Sequence, residues 1–146
     1  TAIHAGMTVF DLEELDLCYA PPFGSAKDPV NIAGYVASNL IKGDSEKINW
    51  EELVPHSNNG AVLLDLRSHI ELKTSGTIDG AVHIPIDELR DRISELDKEK
   101  TYLPFCAVGY RGYLGYRILS QHGFKAKNLG GGFRTYLAAT ENMLLT

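Results

Sequence analysis

Apolar residues fall into two kinds of pattern along this chain. Ala61-Val62-Leu63-Leu64-Asp65 is an unbroken apolar run ending in a charge, the signature of a strand buried on both faces. Thr101 to Cys106 predicts another strand, Ala81 to Ile84 a short one, and a further strand is expected near Lys125 to Asn128. Between them lie helical patterns. Asn49 caps a short helix through Trp50 and Leu53, Ser68 with Glu71 forms a capping box, and Asp87 to Leu96 predicts an amphipathic helix. Arg111 to His122 predicts a helix closed by Gly123, and Gly130-Gly131-Gly132 leads into a last one. Pro104 inside the third strand should cost a ladder bond unless it sits at a bulge. This alternation predicts an α/β domain with a mostly parallel central sheet flanked by helices.

Residues 1–43 read differently. Thr8 with Asp11 predicts a helix N-cap, and Pro21-Pro22-Phe23-Gly24-Ser25 an irregular turn. Asp28-Pro29 then starts a helix in which Val30, Ala33, Val36, Ala37, Leu40 and Ile41 recur at helical spacing before Gly43. Two such helices cannot bury themselves and need a partner. The division expected is an N-terminal helical extension over 1–43, a linker over 44–48 and the α/β domain over 49–146.

With 146 residues, the chain is long enough for one core without metal or disulfide staples. It opens on Thr1, which suggests a piece of a longer protein. No Lys or Arg precedes Lys27, so no secretory signal is expected, and the two distant cysteines, Cys18 and Cys106, suit a reducing cytoplasm. The net charge of −5 divides unevenly: −9 over residues 1–100 and +4 over 101–146. Cys106 therefore lies in a stretch with no acidic side chain between Glu99 and Glu141, which favours a thiolate and attracts small anions. The overall acidity speaks against nucleic acid, and no apolar run is long enough to span a membrane. The five histidines (His4, His56, His69, His83, His122) show no metal-ligand spacing, so no metal is expected.

The sharpest chemistry is Cys106-Ala107-Val108-Gly109-Tyr110-Arg111, at the junction of a strand and a helix. Amides at a helix start point at whatever fills that mouth, so a cysteine there is a candidate nucleophile. Gly109 lets the backbone curl round the sulfur, and Arg111 adds charge at the loop's end. Four residues separate Cys106 from Arg111. A phosphatase-type loop carries one more, so the smaller ring suits the terminal sulfur of a persulfide better than a phosphate. That disfavours phosphatase or arsenate reductase activity.

Residues 60–140 resemble a rhodanese domain, a family of sulfurtransferases and related modules. The motifs that carry the likeness are Leu64-Asp65-Leu66-Arg67 with Glu71, Ile78 to Pro85, the Cys106 loop, His122-Gly123-Phe124 and Leu129 to Phe133. The resemblance implies that Cys106 carries a persulfide cradled by the amides of Ala107, Val108, Gly109, Tyr110 and Arg111. It places Asp65 and Arg67 near the loop as supporting residues. Where the family shows Gly-His-Ile this chain has Gly76-Thr77-Ile78, so the histidine's support is expected to be missing, and Tyr110 is bulky at a position that bears on substrate size.

Tyr19 to Asn31 resembles the tail of the dimerisation domain in coenzyme A-disulfide reductases and related flavin-dependent NADH oxidases, some of which continue into a rhodanese domain. That resemblance implies a parent using FAD, NAD(P)H and coenzyme A, with no cofactor in this chain. The missing flavoprotein domains and a second copy of the chain are its candidate partners. Tyr19 becomes a candidate contact to the partner subunit's site. The expected activity is transfer of sulfane sulfur from thiosulfate, polysulfide or a coenzyme A persulfide to a thiol; the alternative is a non-catalytic binding or regulatory module.

Overall fold

The computed structural model describes residues 1–18, 22–24 and 27–143. They divide into two units, Thr1–Asp44 and Ser45–Thr146.

The first unit pairs helices α1 (Val9–Glu13) and α2 (Pro29–Ile41). Thr8 and Asp11 cap α1 reciprocally: the Thr8 amide donates to Asp11 Oδ2 at 2.6 Å, and the Asp11 amide donates to Thr8 Oγ1 at 3.3 Å. The apolar spacing in α2 does not mark the packed face. Asn31, Gly34 and Ser38 are buried, whereas Ile32, Val36 and Ile41 are exposed. The reason is local. The α1 segment ends with orphan carbonyls, and Asn31 Nδ2 donates to two of them, Leu12 O at 3.2 Å and Leu15 O at 2.9 Å. Gly34 permits the approach, since a Cβ there would lie 2.9 Å from the Leu12 carbonyl carbon. Ser38 donates to the Glu13 carboxylate. A polar, small-residue stripe thus holds the pair together and leaves Ile32, Val36 and Ile41 facing out, with Val30, Ala37 and Leu40 half-buried.

The second unit runs β1 (Lys47–Ile48), α3 (Leu53–Asn58), β2 (Val62–Asp65), α4 (His69–Ser75), β3 (Val82–His83), β4 (Thr101–Phe105), α5 (Tyr110–Gln121), β5 (Lys125–Ala126), β6 (Asn128–Leu129) and α6 (Gly132–Met143). Strand order is β3-β2-β4-β5 in one sheet and β1-β6 in a second, and every pairing is parallel. Side chains alternate across β2 and β4. Leu63, Leu103 and Phe105 join a core with Ile48, Leu53, Leu129 and Phe133. Leu64 and Tyr102 join another with Ile84, Leu89, Ile118 and Phe124. Both faces are covered, which is why β2 and β4 are apolar apart from Asp65 and Thr101 at their ends.

Three details correct or sharpen the sequence reading. Residues 87–96 form successive turns and a short 3-10 segment, Ile93–Glu95, instead of an amphipathic helix. Bonds to the third residue back, such as Glu88 N to Pro85 O at 2.9 Å and Leu96 N to Ile93 O at 3.2 Å, dominate there. Pro104 costs no ladder bond and needs no bulge. Tyr102 O accepts from Lys127 N at 2.9 Å, so the alternate residue Pro104 turns its missing N–H to the same side, past the last β5 residue. Towards β2 the neighbouring Phe105 O accepts from Leu66 N at 2.9 Å, so that edge stays intact. Finally, Gly112 and Gly115 bring α5 close to β4. A Cβ on Gly112 would lie 3.3 Å from Phe105 Cα and from Pro104 O, and one on Gly115 would collide with the Leu66 side chain.

Candidate active site

Strand β4 ends at Phe105, and Cys106 begins the turn into α5. Gly109, the N-cap of α5, takes φ = 113°, a backbone that side chains rarely adopt. That turn brings the Gly109 amide to 3.2 Å from Cys106 Sγ, donating to it. Cys106 is 1% exposed, while Val108 and Tyr110 turn their side chains to solvent. Ala107, Val108 and Gly109 therefore form the turn between strand and helix, with Tyr110 and Arg111 as the first helical residues.

The outer rim of the turn is tied to α6. Phe133 N donates to Cys106 O at 2.8 Å and Arg134 N to Ala107 O at 3.0 Å. Gly132 (φ = 60°) lies so close that a Cβ would stand 3.0 Å from the carbonyl of Ala107. The glycine run before α6 thus serves close backbone approach to the cysteine turn.

Arg111 reaches across to α4. Its NH1 donates to Glu71 Oε2 at 2.7 Å and its NH2 to Oε1 at 2.6 Å, a two-point pairing. The Glu71 carboxylate also accepts from the Ser68 amide at 2.9 Å, so the cap of α4 and the end of the cysteine loop share one group. The Arg111 guanidinium holds the Glu71 carboxyl down at about 2. Glu71 in turn, with the Cys106 sulfur contributing less, pushes Arg111 above its ordinary value. Sequence patterning gave Glu71 only a capping role; its partner lies 40 residues away, where local spacing cannot reach.

Because Glu71 has a lower value folded than unfolded, its contribution to stability is complete above about pH 4.5 and is lost as pH falls towards about 2. The pair is about a third exposed, so we expect Glu71→Gln to cost less than about 1 kcal/mol. Thermal melts of wild type and variant should differ near neutral pH and converge across that acid window.

Asp65 and Arg67 form a buried pair behind the loop. Asp65 accepts from Arg67 NH2 at 2.7 Å, from Arg67 Nε at 3.0 Å and from the Arg67 amide at 3.0 Å. Thr77 Oγ1 donates to the same carboxylate at 2.6 Å, so the position expected to lack support supplies a hydrogen bond. Arg67 also donates to Gly76 O at 2.7 Å and stacks 4.0 Å from the Phe133 ring centroid. Both residues are sealed from solvent, and Phe133 links them to the start of α6. Tyr19 lies outside the described residues. Among the described residues no cluster of three or more His, Cys, Asp or Glu could hold a metal, and no helix is long and apolar enough to cross a membrane.

Residues 49–139 match the family model for the rhodanese-like domain. Over 97% of its length the chain is similar to the crystal structure of reduced Bacillus anthracis CoADR-RHD, with 45% identity and a TM-score of 0.91, covering 25% of that chain. It is also similar over 92% of its length to an NAD-dependent persulfide reductase from A. fulgidus, with 41% identity and a TM-score of 0.79, covering 24% of that protein. YtwF of Bacillus subtilis, which is named as a sulfurtransferase, is 33% identical over 79 residues, 54% of this chain and 76% of its own. The chain spans about a quarter of the length of the two solved structures.

Proposed function

The chain belongs to the rhodanese-like domain family, and from that premise we propose that it is a sulfurtransferase that carries sulfane sulfur as a persulfide on Cys106. The observation that supports this best is the Gly109 amide donating to Cys106 Sγ at 3.2 Å, at the head of a twelve-residue helix. In thiosulfate the outer sulfur is the electrophile. The Cys106 thiolate attacks it, a Cys106 S–S bond forms, and the bond to the sulfonate sulfur breaks with sulfite leaving. Charge then rests on the terminal sulfur, where the amides of residues 107–111 stabilise it without a general base. An acceptor thiolate or cyanide removes that sulfur and returns Cys106 as thiolate.

Asp65 and Arg67 act as support: their polar atoms are consumed by each other, Thr77 and Gly76. Arg111 supplies positive charge beside the sulfur, steadied by Glu71. We expect intact mass to rise by one sulfur atom after thiosulfate or polysulfide and to return after cyanide or coenzyme A. Arg111→Ala should slow the gain about tenfold or more, as removal of one charged stabilising donor does. A folded chain that gains no sulfur from any donor would defeat the reading.

The likeness to two reductases also supports placing the chain at the end of a larger cytoplasmic FAD- and NAD(P)H-dependent reductase acting on disulfides or persulfides, with coenzyme A as a thiol partner. Residues 1–43 then form the tail of its dimerisation domain, and the outward-facing Ile32, Val36 and Ile41 pack in the homodimer or against the flavoprotein domains. Tyr19 stands in this reading as a contact to the partner subunit's site. A binding or regulatory module is the rival, favoured by the 1% exposure of Cys106 within a rim of exposed Val108 and Tyr110. Alkylation separates the two: a reactive thiolate near neutral pH supports catalysis, and an inert thiol supports binding.

A further inference from the structure

Among the described residues one buried side-chain polar atom has no hydrogen-bond partner, Asn128 Oδ1. Such an atom has lost water without gaining a donor, so an apolar side chain of similar shape would be at least as stable there. The place of Asn128 is nevertheless tightly set. It opens β6, its amide donates to Glu46 O at 2.8 Å, and Gly130 N donates to Ile48 O at 2.9 Å, so the β1 segment fixes the register on both sides. From there Nδ2 donates to Gly109 O over a long 3.4 Å, and Oδ1 is turned onto α5 at Gly112, where a Cβ would collide with it. The bare Gly112 thus makes room for Asn128 as well as for β4.

The contact falls on the residue whose own amide donates to Cys106 Sγ. The Gly109 carbonyl has two donors, Tyr113 N at 2.9 Å from within α5 and Asn128 Nδ2 from outside it. The helix bond ties Gly109 to α5 alone, whereas Asn128 ties it to the second sheet and so to the body of the domain. A glycine at φ = 113° has wide freedom to rotate, and a carbonyl held from both sides removes it. We propose that Asn128 is a positioning residue of the sulfur site: its side-chain amide holds the Gly109 carbonyl so that the Gly109 N–H stays aimed at the charge on the Cys106 thiolate. This role rests on the sulfur-transfer reading for its purpose, yet the thiolate it favours is measurable without any sulfur donor.

Alkylation of Cys106 by iodoacetamide across pH, read by peptide mapping to keep it apart from the exposed Cys18, measures that thiolate. In Asn128→Ala the profile should move to higher pH, and the rate on its acid limb should fall about fivefold, the worth of one neutral hydrogen bond. Asn128→Asp keeps the shape but sets an oxygen against the Gly109 carbonyl, so it should not restore the wild-type profile. Asn128→Leu should move the profile as alanine does while unfolding at a denaturant concentration no lower than wild type, because it removes the unpaired Oδ1. In amide spectra the Gly109 resonance should shift in all three variants, while those of Phe133 and Arg134, tied to the other rim of the turn, keep their positions. A wild-type profile in Asn128→Ala, or one fully restored by Asn128→Asp, would overturn the role. So would slow alkylation that comes with displaced Phe133 and Arg134 amides and a lowered midpoint in Asn128→Leu, which would make Asn128 a fold residue only. If Cys106 gains sulfur by mass while these variants match wild type, the transfer reading stands without Asn128. If the profile moves as expected while Cys106 gains none, Asn128 still positions Gly109 and the transfer reading falls.

Discussion

Cys106→Ser should gain no sulfur from thiosulfate or polysulfide, and its transfer to cyanide should fall by more than about a thousandfold, the scale on which loss of a covalent nucleophile is felt. Serine is nearly isosteric and can keep the hydrogen bond from the Gly109 amide, so the cysteine turn should survive. What it cannot supply is an anion soft enough to open a sulfane bond at neutral pH. The measurement is intact mass with and without donor, next to near-ultraviolet circular dichroism to establish that the variant is folded. Cys18 provides an internal control: it is free and exposed, so any sulfur it takes up nonspecifically persists in the variant. A full single-sulfur gain in a folded Cys106→Ser chain would remove Cys106 from the chemistry.

The largest loss of stability is expected at Asp65. Removing its side chain leaves the Arg67 guanidinium buried with its principal counter-charge gone, and breaking one partner of such a pair costs about 3–5 kcal/mol. Domains of ordinary size have only about 5–15 kcal/mol in hand, so Asp65→Ala should unfold at a far lower denaturant concentration or fail to fold. Asp65→Asn keeps acceptor and shape while losing the charge, and should fall between the two. Denaturant midpoints for the three chains give the ranking. A midpoint for Asp65→Ala equal to wild type would mean that the pair contributes nothing net. The sulfur-loading rate per folded molecule separates support from chemistry: Asp65→Asn should load at close to the wild-type rate.

How far the sequence foretold this arrangement differs from element to element. The largely apolar runs at 61–65 and 101–106 identify central strands because a parallel strand buried on both faces reads as a near-continuous apolar run, not an alternating one. The cysteine turn is legible for a related reason. A glycine three residues after a strand-ending cysteine, followed by a helix, leaves little conformational choice.

Residues 87–96 misled because Ile86, Leu89, Ile93 and Leu96 at spacings of three and four fit a helix and a series of tight turns equally well. All four pack in or against the core cluster of Leu64 and Tyr102, and that contact satisfies the pattern without a helix. The α2 face misled for another reason: capping demands at the end of α1 outweighed apolar matching, a competition visible only once the two helices are paired. The β1–β6 pair and the Glu71–Arg111 bridge escaped because each joins segments far apart in sequence. Two residues per strand carry no periodicity at all.

The ties between the cysteine turn and α6 bear on how the chain can be handled and observed. Phe133 N and Arg134 N are engaged by the carbonyls of Cys106 and Ala107, so neither amide can exchange with solvent deuterium unless that contact opens. Their exchange rates thus time the opening of a turn whose own sulfur is silent in such an experiment. A tag, fusion or protease cut that disturbs the last helix would reach the thiol mechanically, through the backbone, without touching any group that does chemistry.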